Sequence, residues 1–219
     1  MDLSPIIDAT PAYLDHSRHF AVHRYSGAMN PTVGVIVAGG AGSRMGTDKA
    51  MVELGGRTLL QRVGAALEAA GLPVVVSGRE TALAGYETIP DAAGLGGGGP
   101  ALGLVSVFRR HQETDLLLVA VDQPLLRPET VAHLLELPGD AVLPTAGEHP
   151  QVTCALYRRA CRQPLEDMLA AGEFKLRKLL PRVAATLVPE TQWASWGEDG
   201  RSWLSLDTPQ AVRDAEDLL

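Results

Sequence analysis

Short apolar runs alternate with amphipathic segments of helical length from Thr32 onward, and this alternation constrains the fold more than any other feature. Residues 33–37 and 116–121 are apolar runs of the kind found in buried strands. Segments 58–70 and 100–110 have the apolar spacing of helices. Strands that alternate with helices build right-handed βαβ units. The sequence therefore predicts an α/β fold of three layers, in which a mostly parallel sheet lies between two layers of helices.

The remaining segments extend the same pattern. We also predict strands at 73–76, 88–89, 152–157, 183–188 and 203–206, and helices at 128–137, 164–171, 176–180 and 209–218. Gly71 follows the 58–70 helix at the position where a left-handed residue often ends a helix. In sheets of this kind, ligands bind beyond the carboxyl ends of the strands. The functional residues are therefore expected in the segments that follow the strands.

The length of the chain, 219 residues, suits one α/β domain rather than two. We expect residues 29–219 to form a single domain. Residues 1–28 lack apolar periodicity, and we expect them to be a poorly ordered N-terminal extension. The extension contains His16, His19 and His23, whose spacing also suits a metal site.

Charge and cysteine content exclude several classes of function. The net charge of −7 is a poor match for nucleic acid or for an anionic membrane surface. The longest apolar run, residues 116–121, is far shorter than the roughly 20 residues that span a bilayer. Cys154 and Cys161 form no CxxC motif, which favours idle thiols in a reducing compartment. The beginning of the sequence shows no secretory pattern, so we expect a cytoplasmic protein with no nucleic-acid or membrane partner.

The segment after the first strand is the most specific motif in the chain. Residues 37–49 read Val-Ala-Gly-Gly-Ala-Gly-Ser-Arg-Met-Gly-Thr-Asp-Lys. Its glycines permit positive φ angles and a close approach of the backbone to a ligand, and consecutive N–H groups can converge on an anion. Arg44 and Lys49 add positive charge. The motif is neither a Walker P-loop nor a dinucleotide fingerprint, but it predicts a cradle for a polyphosphate.

Two aspartates follow predicted strands. Asp122 comes directly after residues 116–121, and Asp207 comes directly after residues 203–206. Mg²⁺ prefers oxygen ligands and commonly takes one or two carboxylates together with substrate phosphates. Asp122 is therefore our candidate metal ligand. Asp207 is a second candidate, although it also precedes a helix that it or Thr208 would cap.

The motif closely resembles the entry motif of the molybdenum cofactor guanylyltransferases, and the resemblance extends over residues 30–219. It implies a Rossmann-like nucleotidyltransferase fold of the GT-A-like type. It also implies transfer of GMP from GTP to the phosphate of molybdopterin, with release of pyrophosphate. The related cytidylyltransferases more often carry Ala-Gly where this chain has Gly39-Gly40, so the pair favours guanine, and the missing Cβ would leave room for the larger purine.

The resemblance also implies roles for individual residues. The expected nucleotide-binding residues are Val37, Ala38, Gly39, Gly40, Lys49, Ser77, Asp91 and Asp122. Arg44, Lys49 and Asp122 are the expected catalytic residues, and Asp122 with Asp207 would bind Mg²⁺. Three positions depart from the family pattern, because Ser77 stands where Asn is common and both Ser205 and Asp207 stand where the guanylyltransferases often have Asn.

The acceptor side of the reaction is less specific in the sequence. Residues 148–150 and 172–178 resemble the family's acceptor segments, and Lys175, Arg177 and Lys178 would bind an acceptor phosphate or simply form a solvated helix face. The alternatives to GMP transfer are a transferase that uses CTP or another phosphorylated acceptor, and a nucleotide-binding protein without catalysis. Besides GTP and the molybdopterin-type acceptor, molybdoenzymes and cofactor-synthesis proteins are candidate partners.

Overall fold

The computed structural model describes residues 30–39, 48–95 and 98–219. The extension predicted for residues 1–28, including its three histidines, lies outside these residues. Gly40 and Arg44 of the glycine-rich motif also lie outside them. The two ends of the motif, at Gly39 and Asp48, are described.

The described residues form ten strands and six α-helices. In chain order these are β1 (Thr32–Val37), β2 (Glu53–Leu54), β3 (Arg57–Thr58), α1 (Leu59–Ala69), β4 (Val74–Ser77), β5 (Glu87–Ile89), α2 (Pro100–Arg110), β6 (Asp115–Ala120), α3 (Pro128–Glu136), β7 (Ala141–Ala146), β8 (His149–Pro150), β9 (Cys154–Tyr157), α4 (Arg162–Ala170), β10 (Ala185–Val188), α5 (Glu190–Trp193) and α6 (Pro209–Glu216). Short 3₁₀ helices lie at Lys49–Met51, Arg159–Cys161, Leu176–Arg182, Ala194–Trp196 and Arg201–Trp203.

Eight of these strands form one mixed sheet. The order across it is β10-β7-β9-β6-β1-β4-β5, and β8 pairs with β7 outside this path. Strand β1 is parallel to both of its neighbours, β4 and β6, and the pairs β4–β5 and β7–β10 are also parallel. Strand β9 runs antiparallel between β6 and β7. The mostly parallel sheet predicted from the sequence is therefore confirmed, with β9 as an antiparallel insertion.

Helices cover both faces of the sheet. Val35 and Ile36 are consecutive residues of β1, so their side chains point to opposite faces. Ile36 packs with buried residues of α1, α3 and α6, whereas Val35 packs with those of α2, α4 and the 3₁₀ helix Leu176–Arg182. Residues of β1 with side chains on both faces are buried, which explains why residues 33–37 carry no polar side chain, and the three-layer prediction is confirmed.

The helix boundaries follow local sequence signals. Thr58 caps α1 through a capping box with Gln61, and Gly71, just beyond the helix, has a φ of +81° as predicted. Helix α2 begins at Pro100, where the missing N–H costs no helical hydrogen bond. Helices α1 and α2 have 11 residues each, and no helix within the described ranges is long and apolar enough to cross a membrane.

The strand predicted at 203–206 is wrong. Trp203 ends a 3₁₀ helix, and the following residues are irregular. Two isolated hydrogen bonds join this part of the chain to the segment after β6. The Trp203 carbonyl accepts from Gln123 Nε2 at 3.3 Å, and the Leu206 N–H donates to the Asp122 carbonyl at 2.7 Å. Trp203 and Leu206 are buried. The apolar residues at this point are therefore buried, but they do not form a strand.

Strand β7 is not among the strands predicted from the sequence, and it contains Pro144, a residue that cannot donate to a strand ladder. The structure tolerates Pro144 because β9 pairs with β7 only at Ala141 and Val142, so the missing N–H falls beyond the antiparallel ladder. The predicted helix at 176–180 is a 3₁₀ helix, Leu176–Arg182, which contains Pro181.

Candidate functional site

The carboxyl ends of three adjacent strands lie level at one rim of the sheet. Val37, near the end of β1, is opposite Ser77 of β4 on one side and Ala120 of β6 on the other. The pairing continues one residue further, because the Ala38 N–H donates to the Ser77 carbonyl at 3.2 Å and the Val121 N–H donates to the Val37 carbonyl at 3.1 Å. The glycine-rich motif, the residues after β4 and Asp122 therefore leave the sheet at the same rim.

Lys49 and Asp122 meet at this rim. The Lys49 ammonium Nζ lies 2.9 Å from Asp122 Oδ2, although the two residues are 73 positions apart. Their side chains are 25% and 20% exposed, so the pair is half-buried and remains open to solvent on one side. Lys49 is held at the start of its 3₁₀ helix by Asp48, whose side chain accepts from the Ala50 N–H at 3.1 Å. The structure thus brings together the two charged residues that the sequence singled out.

Asp207 follows the segment that is bonded to Asp122. The Leu206 N–H donates to the Asp122 carbonyl, which places the start of α6 beside the metal-ligand candidate. Thr208 caps α6 by accepting from the Ala211 N–H at 3.1 Å, so the capping role considered for Asp207 belongs to Thr208. Asp207 follows an irregular, non-strand segment and is half-buried at the same rim.

Gln123 is a residue of this site that the sequence analysis missed. It is 3% exposed, and its side chain accepts from the Ala120 N–H at 3.2 Å while donating to the Trp203 carbonyl. It therefore ties the turn that carries Asp122 to the segment that leads to Asp207. The available signal was a polar side chain placed directly after Asp122 in an otherwise apolar region.

Gly39 and Gly78 touch each other through their backbones. A Cβ on Gly39 would lie 3.0 Å from the Gly78 Cα, and a Cβ on Gly78 would lie 2.8 Å from the Gly39 Cα. Gly78 also has a φ of +82°, a conformation that side chains disfavour. The structure therefore gives Gly39 a steric role inside the protein, in addition to the room for a purine suggested by the sequence.

Ser77 and Asp91 are both close to Gly78, one as its chain neighbour and the other in space. Ser77 is fully buried, its hydroxyl has no hydrogen-bond partner among the described residues, and it faces Gly103 of α2 rather than the open rim. Asp91 is exposed, and its Oδ1 lies 3.8 Å from the position of a Gly78 Cβ. Partial loss of water around its carboxyl raises the pKa of Asp91 above its ordinary value.

Arg79 is the second residue that the sequence analysis missed. Its Nε donates to the Ala38 carbonyl at 2.8 Å, and its Nη2 donates to Asp48 Oδ1 at 2.5 Å. The hydrogen bond from Arg79 lowers the pKa of the Asp48 carboxyl. The signal for Arg79 was its position two residues after a strand that ends at the rim.

The acceptor-side candidates form none of the contacts described above. His149 belongs to the short strand β8 and is exposed. Lys175, Arg177 and Lys178 are exposed at the 3₁₀ helix Leu176–Arg182, whose buried residues pack on the α2 and α4 side of the sheet. The structure is therefore compatible with both interpretations of this basic segment.

The donors at the rim suit a hard cation. Within residues 30–39, 48–95 and 98–219, no group of three or more His, Cys, Asp and Glu side chains is placed to hold a metal ion. Asp122, with Asp207 after the neighbouring segment, instead offers carboxylate oxygens. This donor set fits Mg²⁺, which retains several waters and shares substrate phosphates, and it does not fit a structural zinc site.

A mostly parallel sheet with a lysine–aspartate pair beyond its strand ends, next to a glycine-rich segment, defines an α/β nucleotidyltransferase. Sequence comparison agrees, because the profile of the MobA-like NTP transferase domain matches residues 34–187. This is more than half of the chain, and the chain belongs to that family.

Relatives and solved structures support this assignment. The chain is 30% identical over 186 residues to a probable molybdenum cofactor guanylyltransferase from Pelotomaculum thermopropionicum, which covers 83% of this chain and 90% of the relative. A protein of the same name from Deinococcus radiodurans is 36% identical over 167 residues, covering 73% and 84% of the two chains.

The fold is also shared with solved structures. Molybdopterin-guanine dinucleotide biosynthesis protein A from Archaeoglobus fulgidus superposes with a TM-score of 0.73 and 22% identity, covering 84% of this chain and 97% of that one. A 2-C-methyl-D-erythritol 4-phosphate cytidylyltransferase from Thermus thermophilus gives a TM-score of 0.62 at 20% identity, covering 87% and 98%. At these identities the likeness shows the fold alone.

Proposed function

We propose that this chain transfers GMP from GTP to the terminal phosphate of molybdopterin and releases pyrophosphate. The observation that carries the proposal is the Lys49–Asp122 contact at the shared carboxyl ends of β1 and β6. In this proposal Lys49 would bind phosphate and Asp122 would bind the metal, and their contact supports a shared site after the glycine-rich motif. The names of the relatives supply the nucleotide and the acceptor.

The reaction needs positioning and charge neutralisation more than proton transfer. An oxygen of the acceptor phosphate attacks the α-phosphorus of GTP, and the bond from that phosphorus to the bridging oxygen breaks, so the electron pair leaves with pyrophosphate. The attacking phosphate oxygen is already ionised, and no general base is required. His149 therefore has no necessary role as a base in this proposal.

Different charged residues would bind the triphosphate and the metal ion. Lys49 and Arg44 would bind the triphosphate and neutralise the charge that develops on the leaving pyrophosphate. Asp122, together with Asp207, would hold Mg²⁺. When bound, the cation neutralises phosphate charge and orients the triphosphate for in-line displacement. Gln123 would keep the Asp122 turn and the Asp207 segment in register.

The nucleoside would bind at the ends of β1 and β4. The backbone of residues 37–40 would face the base and ribose, and Asp91 would contact the nucleoside from the segment after β5. Because Ser77 is buried against Gly103, its contribution in this proposal is to shape the pocket wall from beneath. Lys175, Arg177 and Lys178 would bind the phosphate of the acceptor.

The proposal is tested by Asp122→Asn and by Lys49→Ala. Each removes one charge from the pair, and we expect each to lower the rate of pyrophosphate release by about a hundredfold or more, the usual effect of losing one electrostatic contact to the transition state. The assay contains GTP, Mg²⁺ and molybdopterin. Asp214→Asn, an exposed change on α6, is the matched control and should keep the wild-type rate. An Asp122→Asn variant within threefold of the wild type would overturn the proposal.

A nucleotide comparison separates the alternatives. GTP with Mg²⁺ should raise the thermal midpoint of the wild-type protein more than CTP does, because a ligand that binds only the native state stabilises it by mass action. Stabilisation by CTP alone would favour a cytidylyltransferase. Stabilisation by GTP without pyrophosphate release, with molybdopterin and other phosphorylated acceptors, would favour a nucleotide-binding protein without catalysis.

A further inference from the structure

We propose that Arg79 is a positioning residue that sets Lys49 against Asp122 by holding together the two ends of the glycine-rich motif. This inference rests on the proposed function for its kinetic consequences, but its structural content is independent of the substrate. It concerns a side chain that lies in neither of the expected nucleotide-binding and metal-binding sets.

One guanidinium bridges the two described ends of the motif. Arg79 Nε donates to the carbonyl of Ala38, which precedes the glycines, and Nη2 donates to the carboxylate of Asp48, which follows them. The two anchor residues are ten positions apart in the chain. A planar guanidinium has donors in a fixed fork, so a single side chain can fix the separation of two acceptors in a way that a lysine cannot.

The position of Arg79 is itself determined by the sheet. It follows Ser77 and Gly78 at the end of β4, and the Gly78 N–H donates to the Ile89 carbonyl of β5 at 2.9 Å. Gly78 is also in backbone contact with Gly39. Arg79 therefore extends from the end of β4 to the two described ends of the motif, Ala38 and Asp48.

Arg79 is connected to Lys49 through one atom, Asp48 Oδ1. Asp48 Oδ1 accepts from Arg79 and from the Ala50 N–H, which caps the 3₁₀ helix that begins at Lys49. The orientation of this short helix directs Lys49 toward Asp122 Oδ2. A displacement of Asp48 would therefore move the ammonium group relative to the carboxylate.

The Arg79–Asp48 ion pair is suited to positioning Lys49 rather than to stabilising the fold. The side chains of Arg79 and Asp48 are 29% and 35% exposed, and ion pairs with this much solvent contribute little to global stability. The hydrogen bond from Arg79 also lowers the pKa of Asp48, which favours the charged carboxylate. Small misplacements at an active site can nevertheless reduce turnover strongly.

The kinetic test uses Arg79→Ala, Asp48→Ala and the double variant. We expect Arg79→Ala to lower kcat about tenfold with a smaller change in KM for GTP, because Lys49 is misplaced and no direct nucleotide contact is lost. Adding Arg79→Ala to Asp48→Ala should lower kcat by less than a further twofold, because two residues that act through one contact do not add. Arg79→Lys, which keeps the charge but loses the fork, should restore less than half of the lost rate.

Arg159→Ala is the matched control. Arg159 forms an ion pair with Glu113 before β6, at the opposite end of that strand, and both side chains are exposed. Its loss should leave kcat and KM unchanged. An Arg79→Ala variant with kcat within twofold of the wild type, full rescue by Arg79→Lys, or losses that multiply in the double variant would overturn the inference.

A structural readout separates this inference from the proposed function. Crystal structures of the wild type and of Arg79→Ala, without nucleotide, should show the Lys49–Asp122 contact in the first and its loss in the second. If the wild type proves inactive with GTP and molybdopterin, the proposed function fails while this comparison still decides the role of Arg79. If Arg79→Ala keeps the contact, the inference fails and the proposed function stands.

Discussion

Strand β6 carries an aspartate near each end, and the two have opposite surroundings. Asp115 is the first residue of the strand and is 2% exposed. Its Oδ1 accepts from the backbone N–H of Arg159 at 2.8 Å and from the side-chain amide of Asn30 at 3.3 Å, and Arg158 Nε lies 3.7 Å from its Oδ2. This carboxylate is closed off from solvent and fixed by donors on three different residues.

Asp122 follows the other end of β6, and among the residues that the structure describes its carboxylate contacts Lys49. Its side chain is 20% exposed and contacts the ammonium of Lys49, a point charge on a flexible stem. A partner of this kind can turn toward a phosphate, whereas the backbone N–H that binds Asp115 cannot. From this contrast we expect Asp115 to stabilise the fold, because its donors are fixed, and Asp122 to serve the proposed chemistry, because its partner can move.

Crossed substitutions at the two aspartates should show the largest effects. Asp115→Ala leaves buried donors unpaired and should lower the free energy of unfolding by about 3 kcal/mol. Asp122→Ala breaks a half-exposed pair and should change it by less than about 1 kcal/mol, while pyrophosphate release falls about a hundredfold or more. Urea unfolding and the rate per folded molecule measure the two quantities. Equal losses of stability in both variants would remove the contrast between the two ends of β6.

Substitution of Gly78 should test how rigid the functional rim is. Gly78→Ala combines a positive φ with a backbone clash against Gly39, and we expect a loss of about 3 kcal/mol in the free energy of unfolding. Gly85→Ala is the matched control, because Gly85 has a φ of +84° but nothing near its Cβ position. It should lose only about 1 kcal/mol, the cost of the left-handed conformation. If urea unfolding shows equal losses of stability in Gly78→Ala and Gly85→Ala, the backbone contact with Gly39 relaxes without an energetic cost.

The smallest expected effect concerns the two cysteines, which should not react with a thiol reagent in the folded protein. Burial raises the pKa of both Cys154 and Cys161 to about 12. At pH 8 only about one thiol in ten thousand would be ionised, so both should resist a disulfide reagent that titrates a free thiol completely. Cys154 pairs with Val119 of β6, near the Asp122 end of that strand.

The same thiols also sharpen the comparison of the aspartates. If labelling requires opening of the protein, Asp115→Ala should accelerate it by roughly a hundredfold, because the open population rises with lost stability. Asp122→Ala should leave the labelling rate almost unchanged. Rapid labelling of the wild-type protein would contradict the inert role assigned to both cysteines.

Local patterns predicted most of the fold because they report burial and backbone preference. The apolar runs of β1 and β6 and the proline at the start of α2 each determine a local conformation, and the structure confirms them. The prediction failed where the burial of a residue does not match its backbone conformation. Trp203 and Leu206 are buried without forming a strand, and Pro144 lies in a strand whose ladder does not need its N–H.

The candidate site was predictable only in part, for a related reason. Lys49 and Asp122 were recognisable because charged residues directly after a glycine-rich motif and a buried strand have few structural uses. Gln123 and Arg79 were missed because their importance lies in partners distant in the chain, the Trp203 carbonyl and the Ala38 carbonyl. A single polar residue near a strand end does not show which backbone group it will meet.

The sequence by itself determined the alternation of strands and helices, the position of the glycine-rich motif after the first strand and the identity of its charged residues. These features depend on periodicity and on backbone preference, which act over a few neighbouring positions. Only the tertiary structure decided that Lys49 meets Asp122, that Arg79 joins Ala38 to Asp48 and that Asp207 follows an irregular segment rather than a strand. Those contacts depend on the order and register of strands in the sheet, which arise when distant parts of the chain are packed together.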